Sequence, residues 1–385
     1  QEVDVPNTSV VQGLSPLEAL TPPQLPAEIP LVQYRAVIDV PYLWLDRDMF
    51  IHVERVGGAY TVYVNDRRIG YSDDSRTPTE FPISEAVTDG VNTIGIEVYG
   101  YSTGNWMETL LPQLQPGSLG GVYVYSQPKL RIEDFVIRTQ SDTTKVHGWV
   151  DFAVVMSNSY RWSSDVCSSD LKITFGYDIY SPTGKLLTYN LIDTEIPGNS
   201  TDTLACREVL ENIWKSTAWS PERPSLYKLM LYTRRDGRIT EYIPLKFGFN
   251  HAELRDGELW INDKKAELSA VDYDAAADAA ATERQLKILK NQRVNTLCVS
   301  YPQPHWFYEL CDRIGFYVID QANINAGFRK DDRNVGGSVA NDPAFLPQFI
   351  DRVAGMQGRS KNYTSVIALS MGGMSGNGYN MYKAY

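Results

Sequence analysis

The spacing of apolar residues changes near residue 249, and this change divides the chain into two kinds of structure. Before it, apolar and polar residues alternate, as in Tyr60, Val62 and Val64, and turn-forming residues recur about every 8–12 positions. After it, short apolar runs are separated by segments whose apolar residues repeat at helical spacing. The first pattern is typical of β-sandwiches, and the second of β-α units that form a parallel sheet.

The all-β part is long enough for two sandwiches. Residues 1–30 are rich in proline and predict an extended lead-in, and residues 31–128 predict a first sandwich. Residues 129–248 suit an immunoglobulin-like sandwich with hairpin turns at 181–185 and 234–238. Its inward-facing residues are predicted to be Val150, Phe152, Val154, Met156, Ile173, Phe175, Tyr177 and Ile179.

Residues 249–385 contain four β-α units. The strands are predicted at 266–272, 295–300, 316–323 and 365–372. A capping box of Thr282 and Gln285 is expected to open the first helix. Such units form either a doubly wound sheet or a barrel, and no glycine-rich turn follows the first strand to favour dinucleotide binding. A barrel needs eight units, so we expect the chain up to Tyr385 to hold half of one.

The composition disfavours several kinds of partner. The formal net charge is −11 and no cluster of lysine and arginine offsets it, so we expect no nucleic acid partner. No run approaches the ~18 apolar residues of a membrane span. The chain starts without methionine or an apolar leader, so either a signal peptide has been removed or the start is missing. We expect a periplasmic or secreted bacterial protein, with a cytoplasmic one as the alternative.

The cysteines show no CxxC spacing. We expect free thiols rather than a metal site, with one disulfide as the alternative. One of them lies in SSDVCSSDL (163–171), which predicts a polar loop to which we assign no function. The cysteines are Cys167, Cys206, Cys298 and Cys311.

Five strings, in order along the chain, carry a resemblance to a known family. They are VYVNDRRIGYSDDSRTPTEFPIS (62–84), WSPERPSLYKLML (219–231), FGFNHAELRDGELWINDKKAEL (247–268), HWFYELCDRIGFYVIDQANIN (305–325) and SVIALSMGGMSGNGYN (365–380). Together they resemble glycoside hydrolase family 2 of the β-galactosidase type. The resemblance implies a jelly-roll sugar-binding domain over 31–128, an immunoglobulin-like domain over 129–248 and the first half of a (β/α)8 barrel over 249–385.

The catalytic residues that the resemblance implies are not intact. Retaining glycosidases use two carboxyl groups about 5–5.5 Å apart, which in barrels project from the carboxyl ends of strands. The family's acid/base is the glutamate of an Asn-Glu pair after the fourth strand, and Gly373 and Met374 stand there. Methionine has no titratable proton, so it can neither protonate a leaving oxygen nor activate water. The family's nucleophile would follow Tyr385.

The magnesium ligands that the resemblance implies have changed as well. Family β-galactosidases of this type hold Mg²⁺ through two residues of an I-E-T-H-G string after the third strand and through the acid/base. Asn325, Gly327 and Met374 stand at these positions. Mg²⁺ requires several oxygen ligands, and these residues offer a single amide oxygen. We therefore expect no metal and no cofactor.

Positions that face the sugar in the family are also altered. Its N-R-H-E-H string after the first strand corresponds to DYDAA (272–276), and its R-T-S-H-Y-P string to CVSYP (298–302). Its D-E-A-N string after the third strand corresponds to DQAN (320–323). The resemblance therefore predicts a barrel that keeps its apolar framework and loses the groups that hold galactose.

The polar residues that remain are candidates for substrate binding. Asp274, Asp320 and Asn323 lie at predicted strand ends. Asp274 and Asp320 are a candidate carboxylate pair, the alternative being structural pairing with a backbone amide or a tyrosine hydroxyl. Asp74 stands where the family has an aspartate that reaches from the first domain into the sugar site. The alternative is that Asp74 caps a loop and pairs with Arg76.

Aromatic residues of the first domain offer another candidate. Trp106, beside Tyr99 and Tyr101, is a candidate for stacking on a sugar ring, with core packing or a domain-interface role as the alternative. The family's E-D-Q-D-M-W string keeps Glu108, whereas residues 113–117 do not match it.

Three functional hypotheses follow. The first is a catalytically silent family 2 homologue whose sandwich domains bind either a partner or carbohydrate, the carbohydrate being a β-galactoside or a plant polysaccharide oligomer. The second is an exo-β-glycosidase that is active in a full-length form. The third is a non-catalytic structural module of a carbohydrate-processing system.

Overall fold

A computed structural model describes most of the chain. The described residues are 20–111, 114–141, 147–160, 172–211, 218–276 and 278–385. Several expectations lie outside them: the lead-in before residue 20, the loop at 163–171 with Cys167, and residue 113.

The first part of the chain is a β-sandwich with antiparallel neighbours. Its strands are β1 (Leu31–Val40), β2 (Asp48–Val53), β3 (Ala59–Val64), β4 (Arg67–Ser72), β5 (Thr79–Pro82), β6 (Gly90–Tyr99) and β7 (Val122–Gln127). One sheet has the order β1-β6-β3-β4 and the other the order β5-β2-β7. Alternate residues fill the core, so that Val62 lies opposite Ile96 and both are buried. Asn65 and Asp66 adopt φ of 49° and 62°, which makes the tight turn between β3 and β4.

The second part is another sandwich. Its strands are β8 (Leu130–Ser141), β9 (His147–Asn158), β10 (Lys172–Tyr180), β11 (Leu186–Glu195), β12 (Ser200–Glu211), β13 (Tyr227–Arg235) and β14 (Arg238–Phe247). The sheets have the orders β12-β9-β8 and β11-β10-β13-β14. The residues predicted to face inward on β9 and β10 are all buried, with at most 4% of their surface exposed.

A small antiparallel sheet leads into the third part. It consists of β15 (Ala252–Arg255), β16 (Glu258–Ile261) and β17 (Lys264–Lys265). Trp219 lies at the junction, fully buried, and its indole donates to the Asp312 carbonyl at 2.8 Å. The second sandwich is thereby anchored to the β-α region.

The third part is a parallel sheet with helices packed on it. The strands are β18 (Ala270–Asp272), β19 (Thr296–Cys298), β20 (Tyr317–Gln321) and β21 (Val366–Ser370), in that order. The helices are α1 (Ala279–Asn291), α2 (His305–Ile314), α3 (Leu346–Ser360) and α4 (Tyr379–Ala384). Two β-sandwiches followed by β-α barrel units are the fold class that the sequence predicts.

The start of α1 differs from the expected capping box. The Asp278 side chain accepts the backbone N–H of Ala281 at 2.7 Å and is the N-cap. Thr282 is already inside the helix, where its hydroxyl accepts from Ala276, and Gln285 bonds to the Tyr273 hydroxyl. The helix was predicted correctly but its cap was wrong, because an aspartate four residues earlier can take that role.

None of the helices in the described ranges combines the length and the apolar character that crossing a membrane requires.

Candidate functional site

The carboxyl ends of the parallel strands meet at one edge of the sheet. Strand β18 pairs with β19, β19 with β20, and β20 with β21, all in parallel. The loops after these strands therefore lie side by side, where a barrel enzyme places its catalytic groups. Loops of the first sandwich cover part of this edge, because the Thr109 hydroxyl and the Leu110 amide both donate to the Asn325 carbonyl.

Neutral amides occupy the centre of this edge. Gln321 donates its side-chain amide to the Ser300 carbonyl at 2.6 Å, and Asn325 donates to the same carbonyl at 3.0 Å. The Asn325 amide oxygen accepts from Gln321 at 3.3 Å, and the Ser370 hydroxyl donates to Gln321 at the same distance. Amide groups neither release nor take up a proton at ordinary pH, so this network offers no general acid or base.

Gly373 and Met374, which stand at the family's acid/base pair, do not supply a general acid or base either. The backbone N–H of Gly373 donates to the Ile324 carbonyl at 2.9 Å, and a Cβ at Gly373 would lie 2.7 Å from the Asn325 amide oxygen. Met374 adopts φ of 51° and is 69% exposed. Its thioether therefore lies in solvent and carries no titratable proton.

The residues at the implied magnesium positions do not fit Mg²⁺. The Asn325 amide oxygen is already bonded to Gln321, Gly327 has no side chain, and Met374 offers only sulfur. A Cβ at Gly327 would lie 2.8 Å from the Leu110 side chain, so the first sandwich fills the space that a ligand side chain would need. Among the described residues, no three of the His, Cys, Asp and Glu side chains are grouped so as to hold a metal.

A buried polar cluster joins the first sandwich to the barrel. The Asn323 side-chain amide donates to Asp74 at 2.7 Å and to Glu108 at 2.8 Å. Arg352 on α3 donates to Glu108 at 3.1 Å and to Asp73 at 3.3 Å, and lies 3.9 Å from Asp74. Three carboxylates thus share one guanidinium at the interface. Removal of the arginine would leave these charges uncompensated and would destabilise the folded state.

Asp74 both caps its loop and reaches the barrel. Its Oδ1 accepts the backbone N–H groups of Arg76 and Thr77 at 3.0 Å, as the capping alternative predicts. The cation that faces it is Arg352, whereas the Arg76 guanidinium lies 3.9 Å over the Tyr301 ring. Burial opposes the ionisation of Asp74, but Arg352 and the Arg76 backbone N–H outweigh burial and lower its pKa.

Glu108 responds to the same surroundings in the opposite direction. Burial raises its pKa above the ordinary value, and the charge of Asp74 adds to this effect against the lowering by Arg352. Because the pKa of Asp74 is lowered and that of Glu108 is raised, Glu108 holds a proton more readily than Asp74 does.

Asp274 and Asp320 do not form the carboxylate pair that we considered. Asp320 is fully buried and accepts from the Tyr308 hydroxyl and from Arg359, each at 2.7 Å. These partners lie on α2 and α3, so the carboxylate points into the helix layer, as the tyrosine alternative predicts. Asp274 follows the end of β18, where it is largely exposed and accepts from the Gln303 side chain at 3.3 Å. The part of its carboxyl group that neighbouring residues cover is desolvated, which raises its pKa.

Trp106 is buried in the interface between the first sandwich and the barrel, which is the alternative that we weighed against sugar stacking. Its side chain is 3% exposed, and its indole N–H donates to the Gln24 carbonyl at 3.1 Å. The ring packs edge-on against Phe328 at 5.7 Å, between the first sandwich and the barrel. Asn323, also a candidate for sugar contact, is fully buried in the interface cluster.

Two arginines that organise this region were not singled out from the sequence. Arg352 is 1% exposed at its side chain and shares the buried face of α3 with Phe349 and Met356. Arg359, further along the same helix, pairs with Asp320. The sequence signal for Arg352 is its position within the apolar stripe of the helix, where a charged residue is unusual.

The chain matches three domain families. The family 2 sugar binding domain of glycosyl hydrolases matches residues 4–125, the domain described as glycosyl hydrolases family 2 matches 130–250, and the family 2 TIM barrel domain matches 252–385. Together these matches cover nearly the whole chain, which therefore belongs to glycosyl hydrolase family 2.

Curated relatives are longer proteins. The β-galactosidase of Streptococcus thermophilus is 31% identical over 374 residues, which are 93% of this chain and 34% of that protein. The β-galactosidase of Priestia megaterium is 29% identical over 382 residues, which are 96% of this chain and 36% of that protein. The chain thus spans about a third of the length of these relatives.

Solved structures share the fold. The crystal structure of Bacteroides uniformis β-glucuronidase has a TM-score of 0.74 at 17% identity, covering 88% of this chain and 40% of that one. A glycosyl hydrolase family 2 member from Bacteroides cellulosilyticus has a TM-score of 0.71 at 18% identity, covering 89% and 45%. At these identities the similarity concerns the fold alone.

Proposed function

We propose that this chain is a catalytically silent member of its family that binds carbohydrate of the β-galactoside or plant polysaccharide type. The observation that carries the proposal is the neutral centre of the barrel edge. Gln321 and Asn325 bond to each other there, and Met374 extends into solvent. Glycoside hydrolysis needs an acid/base and a second carboxylate facing each other, and these residues supply neither.

The rim of the same edge retains groups suited to a sugar. Asp274 is exposed, and Tyr301 lies under the Arg76 guanidinium at 3.9 Å. A carboxylate accepts hydrogen bonds from sugar hydroxyls, and an aromatic ring stacks on the apolar face of a pyranose. We propose that these residues form the sugar contact of the barrel edge.

Titration calorimetry of the intact chain with galactose, lactose and galactan oligomers tests this proposal. We expect saturable binding that weakens in Tyr301→Ala and in Asp274→Ala. Tyr42→Ala, a change of an exposed tyrosine on the first sandwich, is the matched control and should bind as the wild type does. No binding to any of these sugars, or equal binding by all variants, would overturn the sugar contact.

An active exo-β-glycosidase in a full-length form is the second candidate. The similarity of nearly the whole chain to proteins named β-galactosidase favours it, since this chain spans only about a third of their length. The test is an assay of galactose release by a full-length form. Release that a single carboxylate substitution outside residues 1–385 abolishes would establish this candidate.

A further inference from the structure

The outer face of one sheet in the second sandwich is rich in tyrosine. Gly176 on β10 lies opposite Leu191 on β11 and Tyr232 on β13, and Tyr232 lies opposite Tyr242 on β14. In the next row, Asp178 lies between Tyr189 and Met230. Residues that alternate with these, such as Phe175 and Tyr177, fill the core, so this row faces outward.

Tyr232, the central tyrosine of this face, has its ring packed over Gly176 of the neighbouring strand. A Cβ at Gly176 would overlap the Tyr232 ring, so the ring occupies the space that the glycine leaves. The Tyr232 hydroxyl donates to Asp178 at 3.3 Å, and the Tyr180 hydroxyl donates to the other oxygen of Asp178 at 3.3 Å. Tyr189 is 65% exposed and Tyr242 is 57% exposed on either side. The result is an aromatic surface with a fixed central ring.

Positive charge lies at one end of this face. Lys228 on β13 and Lys246 on β14 lie opposite each other and are exposed, and Lys185 is exposed in the turn before β11. Within the part of the chain that the structure describes, none of these lysines forms a salt bridge. Like charges that lie directly opposite each other on a sheet repel, so Lys228 and Lys246 destabilise each other. They remain side by side and, among the described residues, without a carboxylate partner, although the chain has a net charge of −11 and therefore an excess of carboxylates. The arrangement is complementary to a negatively charged partner.

We propose that this face binds a carbohydrate chain that carries uronate carboxylates. The exposed tyrosine rings stack on the apolar faces of the sugars, and the lysines pair with the carboxylates. The choice of a carbohydrate rests on the proposed function, but the surface belongs to the second sandwich and is separate from the barrel edge. Binding here does not require an active barrel.

The test uses the intact chain, with polygalacturonate as the charged probe and a neutral galactan as its control, titrated at low and high salt. We expect polygalacturonate to bind, and binding to weaken about ten-fold in Tyr189→Ala/Tyr242→Ala. Lys228→Glu/Lys246→Glu should weaken it comparably and remove most of its salt dependence. Tyr42→Ala and Lys264→Glu change an exposed tyrosine and an exposed lysine elsewhere and should bind as the wild type does.

Several outcomes would overturn the proposal. One is the absence of polygalacturonate binding. Another is binding that neither Tyr189→Ala/Tyr242→Ala nor Lys228→Glu/Lys246→Glu weakens. A third is binding of the neutral galactan at this face with the same affinity. Self-association of the chain that Tyr189→Ala/Tyr242→Ala abolishes would assign the face to a second copy instead. Tyr301→Ala, at the barrel edge, separates the two sites: it should leave polygalacturonate binding at this face unchanged, whatever it does to galactose binding.

Discussion

The Asn323 side chain in the barrel lies 2.7 Å from the Asp74 carboxylate of the first sandwich, although 249 residues separate them in the sequence. The same amide group also donates to Glu108, and Arg352 lies against both carboxylates. A residue at a strand end, where a barrel enzyme meets its substrate, is thus used to hold two domains together. The interface occupies part of the edge at which hydrolysis would take place.

Replacing Arg352 by methionine is expected to destabilise the chain by about 3–5 kcal/mol, because it leaves buried carboxylates without their cation. The free energy of unfolding in urea, followed by tryptophan fluorescence, measures this loss. Arg333→Met, at an exposed arginine, is the control and should change it little. An Arg352→Met protein as stable as the control would contradict the role of the cluster.

Asp312 should make stability depend on pH. Burial raises its pKa from 3.8 to about 6, although the backbone N–H groups of Ser365 and Thr364 lower it. The folded state therefore binds this proton more tightly than the unfolded chain. The resulting stabilisation is fully present below about pH 4 and is lost as the pH rises through 6.

The measurement for Asp312 is the difference in free energy of unfolding between wild type and Asp312→Asn across this range. We expect the wild type to lose about 2 kcal/mol relative to the variant between pH 4 and pH 6, out of about 3 kcal/mol for the complete titration. Asp331→Asn, at an exposed aspartate, is the matched control. A difference for Asp312→Asn that does not change with pH would show that the carboxyl group titrates normally.

Trp106→Ala is expected to cost about 3–5 kcal/mol of stability, because a buried aromatic side chain is removed from the sandwich–barrel interface. The melting temperature should fall, whereas Tyr42→Ala should leave it nearly unchanged. If Trp106→Ala kept the wild-type melting temperature and lost affinity for sugars, the packing assignment would be wrong.

Magnesium should not affect the protein. A ligand that binds the folded state raises its stability in proportion to the logarithm of its concentration over Kd. Because Asn325, Gly327 and Met374 do not fit the ion, we expect the same melting temperature with Mg²⁺ and with a chelator. A rise with Mg²⁺ that Asn325→Ala abolishes would show that this edge holds the metal.

Much of the fold is predictable because the signals for strands and turns lie in short stretches of sequence. The alternation of Val150, Phe152 and Val154 places them in the core without any knowledge of their partners. The turn at Asn65-Asp66 follows from residues that tolerate positive φ, and so does the turn at Asp236-Gly237. The helix cap was missed because two acceptable caps lie four residues apart.

The site was predictable only in part. The resemblance identifies which side chains have changed, but the partners of Asp73, Asp74 and Glu108 lie on a helix more than 240 residues away, at Arg352. Asp320 follows Val318 by two positions on β20, so both side chains lie on one face of the strand, but only the structure shows that this face packs against the helices. The position of Trp106 depends on how the first sandwich docks, which no local pattern encodes.

The most direct test of the central claim is the release of glucose from lactose by the longest form of the protein that its gene encodes, compared with release of the phenol from an activated aryl β-galactoside. Lactose has a poor leaving group that needs a general acid, whereas the aryl group leaves without one. Because the protein is proposed to be catalytically silent, with Met374 at the acid/base position, the account predicts release of neither glucose nor the phenol above the uncatalysed background. Glucose release from lactose that disappears in Asp274→Asn would contradict it and would identify a working acid at the barrel edge.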